Sequence, residues 1–207
     1  MERRPAVVYL DESCLVNDRS RISPGGAGGL IERRSDGRVE RREFFLSEPN
    51  TTNNRMALTG AITALHLLEG ASWRSQVLLV SDSEYLVRGI REWVPNWIAR
   101  GWRRRSGAIE NLELWKALAA SNARFDTQFT WVRGHAGHPK NEYADALAVG
   151  AAKQQGNSAG IMMSRFLQWL EECRAAGRYL DYDPDAAFGT LEMRLLAGEQ
   201  FQLDAGA

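Results

Sequence analysis

Two short apolar runs constrain this chain most, Ala6-Val7-Val8-Tyr9-Leu10 and Val77-Leu78-Leu79-Val80. Each has strand length and no charge. Each also leads to an acid, Asp11 directly after the first and Asp82 one serine beyond the second. Uncharged runs this short read as buried strands, which need helices over them. The intervening segments supply the rest. Ser23-Pro24-Gly25-Gly26-Ala27-Gly28-Gly29 reads as a turn followed by close backbone approach, with residues 30–34 resuming as a strand. Asp36-Gly37 is a two-residue hairpin signal that returns residues 39–46 antiparallel. Asn53 or Asn54 is placed to cap a helix with the face Met56, Leu58, Ile62, Leu65 and Leu68, ending at Gly70.

A further helix starts near Ser83, and Asn111 caps another with the face Leu112, Leu114, Trp115 and Leu118. Residues 125–132 alternate as a strand and residues 142–152 are helical. The order β-β-β-α-β-α-α-β-α predicts an α/β layered domain with a mixed five-stranded sheet flanked by helices. The expected boundaries are a domain over residues 1–153, a polar glycine-bearing linker over 154–160, and a helical C-terminal extension over 161–207. In the extension, Met162, Met163, Phe166, Leu167, Trp169 and Leu170 share one side of a helix, and a second helix runs from near Asp185 to Gly198. So large an apolar stripe is expected to dock on the domain in cis or to pair with a second copy of the chain.

Composition excludes several classes. No run of 18 uncharged apolar residues exists to span a membrane, and residues 1–5 lead into a strand without a secretory apolar stretch, so the cytoplasm is the expected location. Two cysteines do not make a disulfide scaffold. Formal net charge is zero, but the first 155 residues hold 22 bases and 18 acids, whereas residues 156–207 hold eight acids and four arginines. Distribution matters more than the total for a polyanionic partner, so nucleic acid stays open.

Three acids occupy comparable places, Asp11 and Asp82 at strand ends and Asp145 early in a helix. Carboxylates gathered at one sheet edge repel unless cations lie between them, which points to Mg²⁺ or Mn²⁺ and matches no zinc pattern. Taken singly, each Asp equally suits a helix cap or a turn. Thr51-Thr52-Asn53-Asn54 precedes one helix, and Gly134-His135-Ala136-Gly137-His138-Pro139 forms a loop before Asn141, Glu142 and Asp145. His138 is expected to fix that loop by hydrogen bonding.

Together these motifs resemble the type 1 ribonuclease H family over roughly residues 6–152. The resemblance implies a ribonuclease H-like fold and an endonuclease that cuts the RNA strand of RNA–DNA hybrids, leaving 5′-phosphate and 3′-hydroxyl ends. It implies two ions per site: Asp11 bridging both, Asp82 holding the one that activates water, and Asp145 the one at the leaving 3′ oxygen. His135 would assist proton transfer or product release. Thr52, Asn53 and Asn54 would face phosphate or base edges, and Asn17 the hybrid's minor groove.

One position departs. The family's catalytic glutamate falls where this chain has Ala57, which offers neither a ligand nor an acceptor. Glu12, Glu84 or a water could stand in. Alternation along a strand points Glu12 away from Asp11, while a helix turn brings Glu84 towards substrate. The alternative function is a hybrid-binding module with little catalysis. Residues 88–105 interleave tryptophans with cations, resembling a basic protrusion. Trp93 and Trp97 are read as core, Arg100, Arg103, Arg104 and Arg105 as phosphate contacts, and Pro95 as a kink.

Overall fold

In the computed structural model, residues 4–16, 23–71, 73 and 76–202 are described. Strands β1 (Ala6–Cys14), β2 (Ser23–Ser35) and β3 (Arg38–Thr51) precede α1 (Asn53–Gly70) and β4 (Gln76–Ser81). Next come α2 (Glu84–Arg88), a π-helical turn (Gly89–Trp93), α3 (Val94–Ala99), α4 (Leu112–Asn122), β5 (Asp126–Trp131) and α5 (Pro139–Gln154). The extension adds β6 (Met162–Met163), α6 (Phe166–Ala175) and α7 (Pro184–Leu196). The sheet order is β5-β4-β1-β2-β3-β6, with β1–β4 and β4–β5 parallel and the other pairs antiparallel. The sheet thus has six strands where five were expected; the sixth is a two-residue pairing of β6 with Arg42 and Glu43.

The apolar runs behave as buried strands because their two faces feed separate cores. Val8 and Leu10 of β1 pack with Leu58, Ala61 and Leu65 of α1 and Trp115 of α4. Val7 and Tyr9 pack with Tyr143 and Ala144 of α5 and with Phe166, Leu170, Phe188 and Leu195 of the extension. The result is a sheet between two helical layers. Asp36 and Gly37 turn the β2–β3 hairpin with φ of 48° and 78°, as a two-residue turn of this type requires.

Four local expectations change. Met162 and Met163, expected on the helical stripe, form β6, and the helix begins at Phe166. β2 begins at Ser23, so the glycine-rich segment is strand rather than turn. A Cβ at Gly26 would lie 2.3 Å from the Ala148 carbonyl oxygen, and one at Gly28 2.5 Å from that of Ala144. Glycine is needed there for α5 to rest on the strand. The cap of α1 is Thr52, whose hydroxyl accepts from the Arg55 amide, and neither asparagine takes that position. The irregularity after β4 is the π-helical turn ahead of Pro95, where Gly89 lies so close to Trp115 that a Cβ would meet the indole at 2.1 Å.

Residues 157 and 158 are bonded along β3: the Ser158 amide donates to the Phe45 carbonyl at 2.9 Å, and the Asn157 side-chain oxygen accepts from the Ser47 amide at 2.7 Å. A buried ion pair joins the two parts of the chain. Lys140 Nζ lies 2.6 Å from Glu32 with both side chains fully enclosed, and it donates to the Pro184 carbonyl at 3.1 Å. Arg41 bridges Glu32 and Asp185 at 2.8 and 2.5 Å.

Phe166 is fully buried between the extension and the sheet. Phe166→Ala is expected to lower unfolding free energy by about 3–5 kcal/mol, read by urea denaturation. A loss of the size seen at an exposed position would mean that α6 does not stay seated on the sheet.

Candidate active site

Beyond Leu10, β1 outruns β4. The parallel ladder stops at Leu10↔Ser81, while Asp11 to Cys14 pair with β2 alone. Asp82 and Ser83 turn away there to begin α2, leaving a notch at the sheet edge. Into this notch project Asp11, only 4% exposed, and Asp82, half-buried. The Asp82 backbone is fixed by Trp131 Nε1, which donates to its carbonyl at 2.9 Å. Gly134 must lack a side chain, because a Cβ there would lie 2.1 Å from Asp82 Oδ2.

Glu12 enters the same notch, which corrects the expectation that it points away. Ligand oxygens of Asp11, Glu12 and Asp82 all lie within 4.8 Å of one another. Alternation does set the Glu12 Cβ on the α1 side of the sheet, with Val8 and Leu10. Past Ser81, however, no neighbouring strand separates the two faces, and the longer glutamate side chain reaches round the end of β4, where the Ser83 hydroxyl bonds it. Ala57, on α1, is completely buried in the core with Leu10 and Leu58.

Asn141, in the first turn of α5, completes the notch by donating from Nδ2 to Asp11 Oδ2 at 2.9 Å. The sequence reading passed over it; its place at helical spacing before Asp145 was the available signal. Asp145 stands one turn further along α5, outside the tight trio, yet its charge is felt at Asp11 and Asp82. His135 is exposed on the β5–α5 loop. After burial, which raises the Asp145 carboxyl, the His135 charge is the next influence and lowers it. His138 caps α5 as expected, with Nδ1 accepting from the Asn141 amide at 3.3 Å. Burial, then Lys140, holds its pKa below the ordinary value.

The electrostatics are those of crowded carboxylates of one sign. Burial first, and the Asp82, Glu12 and Asp145 charges after it, push the Asp11 carboxyl from 3.8 to about 9. Burial and Asp82 push Glu12 from 4.5 to about 8. Glu12 Oε2 and Asn141 Oδ1 are buried with no hydrogen-bond partner. Crowded carboxylates with unsatisfied oxygens fit a hard divalent cation.

The other expected site residues are more dispersed. Thr52, Asn53 and Asn54 open α1 at the same sheet edge as Cys14 and Gly25. Glu84 is exposed and paired with Arg88 at 2.9 Å, outside the acidic trio. Arg100, Arg103, Arg104 and Arg105 are exposed on the segment after α3, while Trp93 and Trp97 are half-buried against the α1-side core. Asn17 lies outside the described residues.

The protein is thus of the α/β class, a mixed sheet between two helical layers with carboxylates gathered where a longer central strand outruns its parallel neighbour. The RNase H family model matches residues 3–153. Ribonuclease H of Alcanivorax borkumensis is 42% identical over 143 residues, 69% of this chain and 87% of that protein. Ribonuclease HI of Caulobacter vibrioides is 43% identical over 148 residues, 71% of this chain and 92% of that protein. The solved structure of LC9-RNase H1, described as a type 1 RNase H with the type 2 active-site motif, is 36% identical. It aligns with a TM-score of 0.79 over 100% of this chain and 98% of its own. The chain belongs to the RNase H family, with type 1 enzymes among its relatives.

Asp11 and Glu12 hold protons in the folded, metal-free protein at neutral pH and lose them on unfolding. Their contribution to stability is therefore full below about pH 4 and is lost as pH rises towards about 9. The metal-free melting temperature is expected to fall across that window, and Asp11→Asn to flatten the fall. Added Mg²⁺ should raise the melting temperature of the unaltered protein and much less that of the variant. Equal responses in calorimetry would remove Asp11 from the cation site.

Proposed function

We propose that this protein is a metal-dependent endonuclease that hydrolyses the RNA strand of RNA–DNA hybrids, leaving 5′-phosphate and 3′-hydroxyl ends, and that it acts in the cytoplasm. The observation that carries the reading is the trio Asp11, Glu12 and Asp82, set in a chain of the RNase H family. Glu12 takes over from the α1 position now filled by Ala57. LC9-RNase H1 is described as a type 1 RNase H with the type 2 active-site motif, which supports a site in this chain that departs from the usual type 1 pattern. The alternative of a weakly catalytic binding module rests on the missing glutamate, and the carboxylate arriving from β1 favours catalysis over it.

Asp11, Glu12, Asp82 and Asp145 are the residues that would hold Mg²⁺ or Mn²⁺, Asp11 shared between two ions. Such ions supply an activated water and charge stabilisation at the leaving 3′ oxygen. Asn141 holds Asp11 in orientation through the 2.9 Å bond. His135, exposed on its loop with its charge acting on Asp145, would assist proton transfer or product release. The opening turn of α1, with Thr52, Asn53 and Asn54, offers backbone amides and side chains to the hybrid's phosphates. A hybrid is distinguished by its groove shape and by 2′ hydroxyls on one strand. Burial of Phe166, Leu170 and Phe188 of the extension in one core with Val7 and Tyr9 supports docking in cis over pairing with a second copy.

Glu12→Gln is expected to reduce hybrid cleavage by at least about a hundredfold, on the scale of losing a ligand that orients the reacting centre. Ala57→Glu should not increase cleavage, and it should lower stability, because position 57 is completely buried in an apolar core. Cleavage that survives Glu12→Gln, or rises with Ala57→Glu, would overturn the transfer of the acid to β1. Separately, replacing Arg103, Arg104 and Arg105 by alanine should flatten the salt dependence of hybrid affinity by counterion release. An unchanged slope in binding titrations would leave them as a solvated surface.

A further inference from the structure

Residues 134–137 join β5 to α5 and carry His135. His135 and Gly137 both take left-handed backbone, with φ of 51° and 85°. The loop is tied to its helix by the Gly137 amide, which donates to Glu142 Oε1 at 3.2 Å. The other oxygen of the same carboxylate, Oε2, is held from the extension. The Tyr179 hydroxyl donates to it, and Arg178 Nη1 lies 3.4 Å away. Both residues sit in the turn between α6 and α7, about forty positions from the loop in sequence.

That turn is built to deliver them. Tyr179 has a φ of 58°, a conformation that disfavours any residue with a Cβ and persists only where surroundings impose it. Its ring lies 6.0 Å from that of Trp169, which packs against the core beneath α5. Arg178 is steadied through Nη2, which donates to Cys173 Sγ at 3.0 Å. Glu142 also needs restraint for a second reason. It lies near enough to Asp145 for its charge to act on that carboxyl, so a freely rotating Glu142 would add a competing anion beside the site. Two donors on Oε2 leave Oε1 directed at the loop.

We propose that Tyr179, assisted by Arg178, is a positioning residue for the His135 loop. The C-terminal extension fixes Glu142, and Glu142 fixes the loop in the arrangement that keeps His135 beside Asp82 and Asp145. This rests on the role given to His135 above. The extension is then part of the catalytic apparatus as well as of the fold.

Tyr179→Phe keeps the ring and its packing on Trp169 and removes only the donor. It is expected to speed hydrogen exchange at the Gly137 amide by about tenfold, the scale of one hydrogen bond to a charged group. It should lower kcat for hybrid cleavage by roughly three- to tenfold with KM little changed, and produce no further loss in a His135→Ala background. Glu142→Gln should give the same two changes from the other side of the contact. Unchanged exchange at Gly137 in both variants overturns the proposal, as does a kcat loss from Tyr179→Phe that is undiminished without His135. Full activity of His135→Ala would instead sink the role assigned to that histidine. In that case exchange at Gly137 would still decide whether the extension holds the loop.

Discussion

The contact of α5 with β2 at backbone distance sets the position of nearly everything that matters chemically. Gly26 and Gly28 let the helix rest on the strand where any side chain would strike a helical carbonyl. With α5 seated that low, four successive residues of its opening turns reach four different partners. Lys140 meets Glu32 inside the sheet layer, Asn141 meets Asp11, Glu142 meets the His135 loop, and Tyr143 donates to Glu43 at 2.5 Å. A helix standing off by even the depth of one methyl group would lose the short bonds among these, because side-chain reach is fixed. The glycines of β2 thereby govern a site to which they contribute no atom.

The polar groups buried by this packing divide into two kinds. Lys140, Glu32, Arg41 and Asp185 form a network of alternating sign, and Lys140 has a further bond to the Pro184 carbonyl. Such a network adds little net stability, because desolvation offsets its attraction, but it ties the extension to the sheet at named residues. At the sheet edge the groups share one sign, and Asp11 is held mostly by Asn141 and a neighbouring amide. The first cluster is paired within the chain, whereas the second leaves Glu12 Oε2 and Asn141 Oδ1 without a hydrogen-bond partner. That asymmetry within one helical turn separates structural from chemical residues more clearly than burial does, because both clusters are buried.

Much of the fold was legible because its signals are local. Continuous apolar runs mark β1 and β4, Asp36-Gly37 fixes the hairpin, and the histidine loop with its glycines announces the start of α5. Glu12 was not legible, because strand alternation gives the direction of a Cβ and says nothing of where a neighbouring strand stops. The beginning of β2 was hidden for a related reason. Glycines signal a turn when read locally, and only the helix lying on them reveals a strand. The π-helical turn depends on Trp115, more than twenty residues away. Asn141 was overlooked because an amide among acids carries no charge signal, although its spacing from Asp145 places both on one helical edge.

The extension shows how one segment can serve several needs of the sheet. β6 pairs with β3 at one edge. At the other edge, Gln128 and Thr130 of β5 bond to the backbone of Glu199, Phe201 and Gln202, and Arg91 donates to the carbonyls of both Phe129 and Phe201. Between the edges, α6 and α7 cover the apolar face that α5 leaves open. At the β3 edge the β6 pairing takes up backbone groups that would otherwise be a template for association, whereas at β5 the bonds are to the Gln128 and Thr130 side chains. The acidic surplus of the segment fits the same arrangement, because Asp185 and Glu192 meet Arg41 and Arg34 of the β2–β3 hairpin. Charge that reads in sequence as repulsion from a polyanion is spent, in part, on arginines of the sheet. Phe166 and Leu170 of the stripe and these acids are therefore two aspects of one docking surface, while Met163 and Leu167 stay exposed, and the turn joining α6 to α7 carries that surface to the edge of the site.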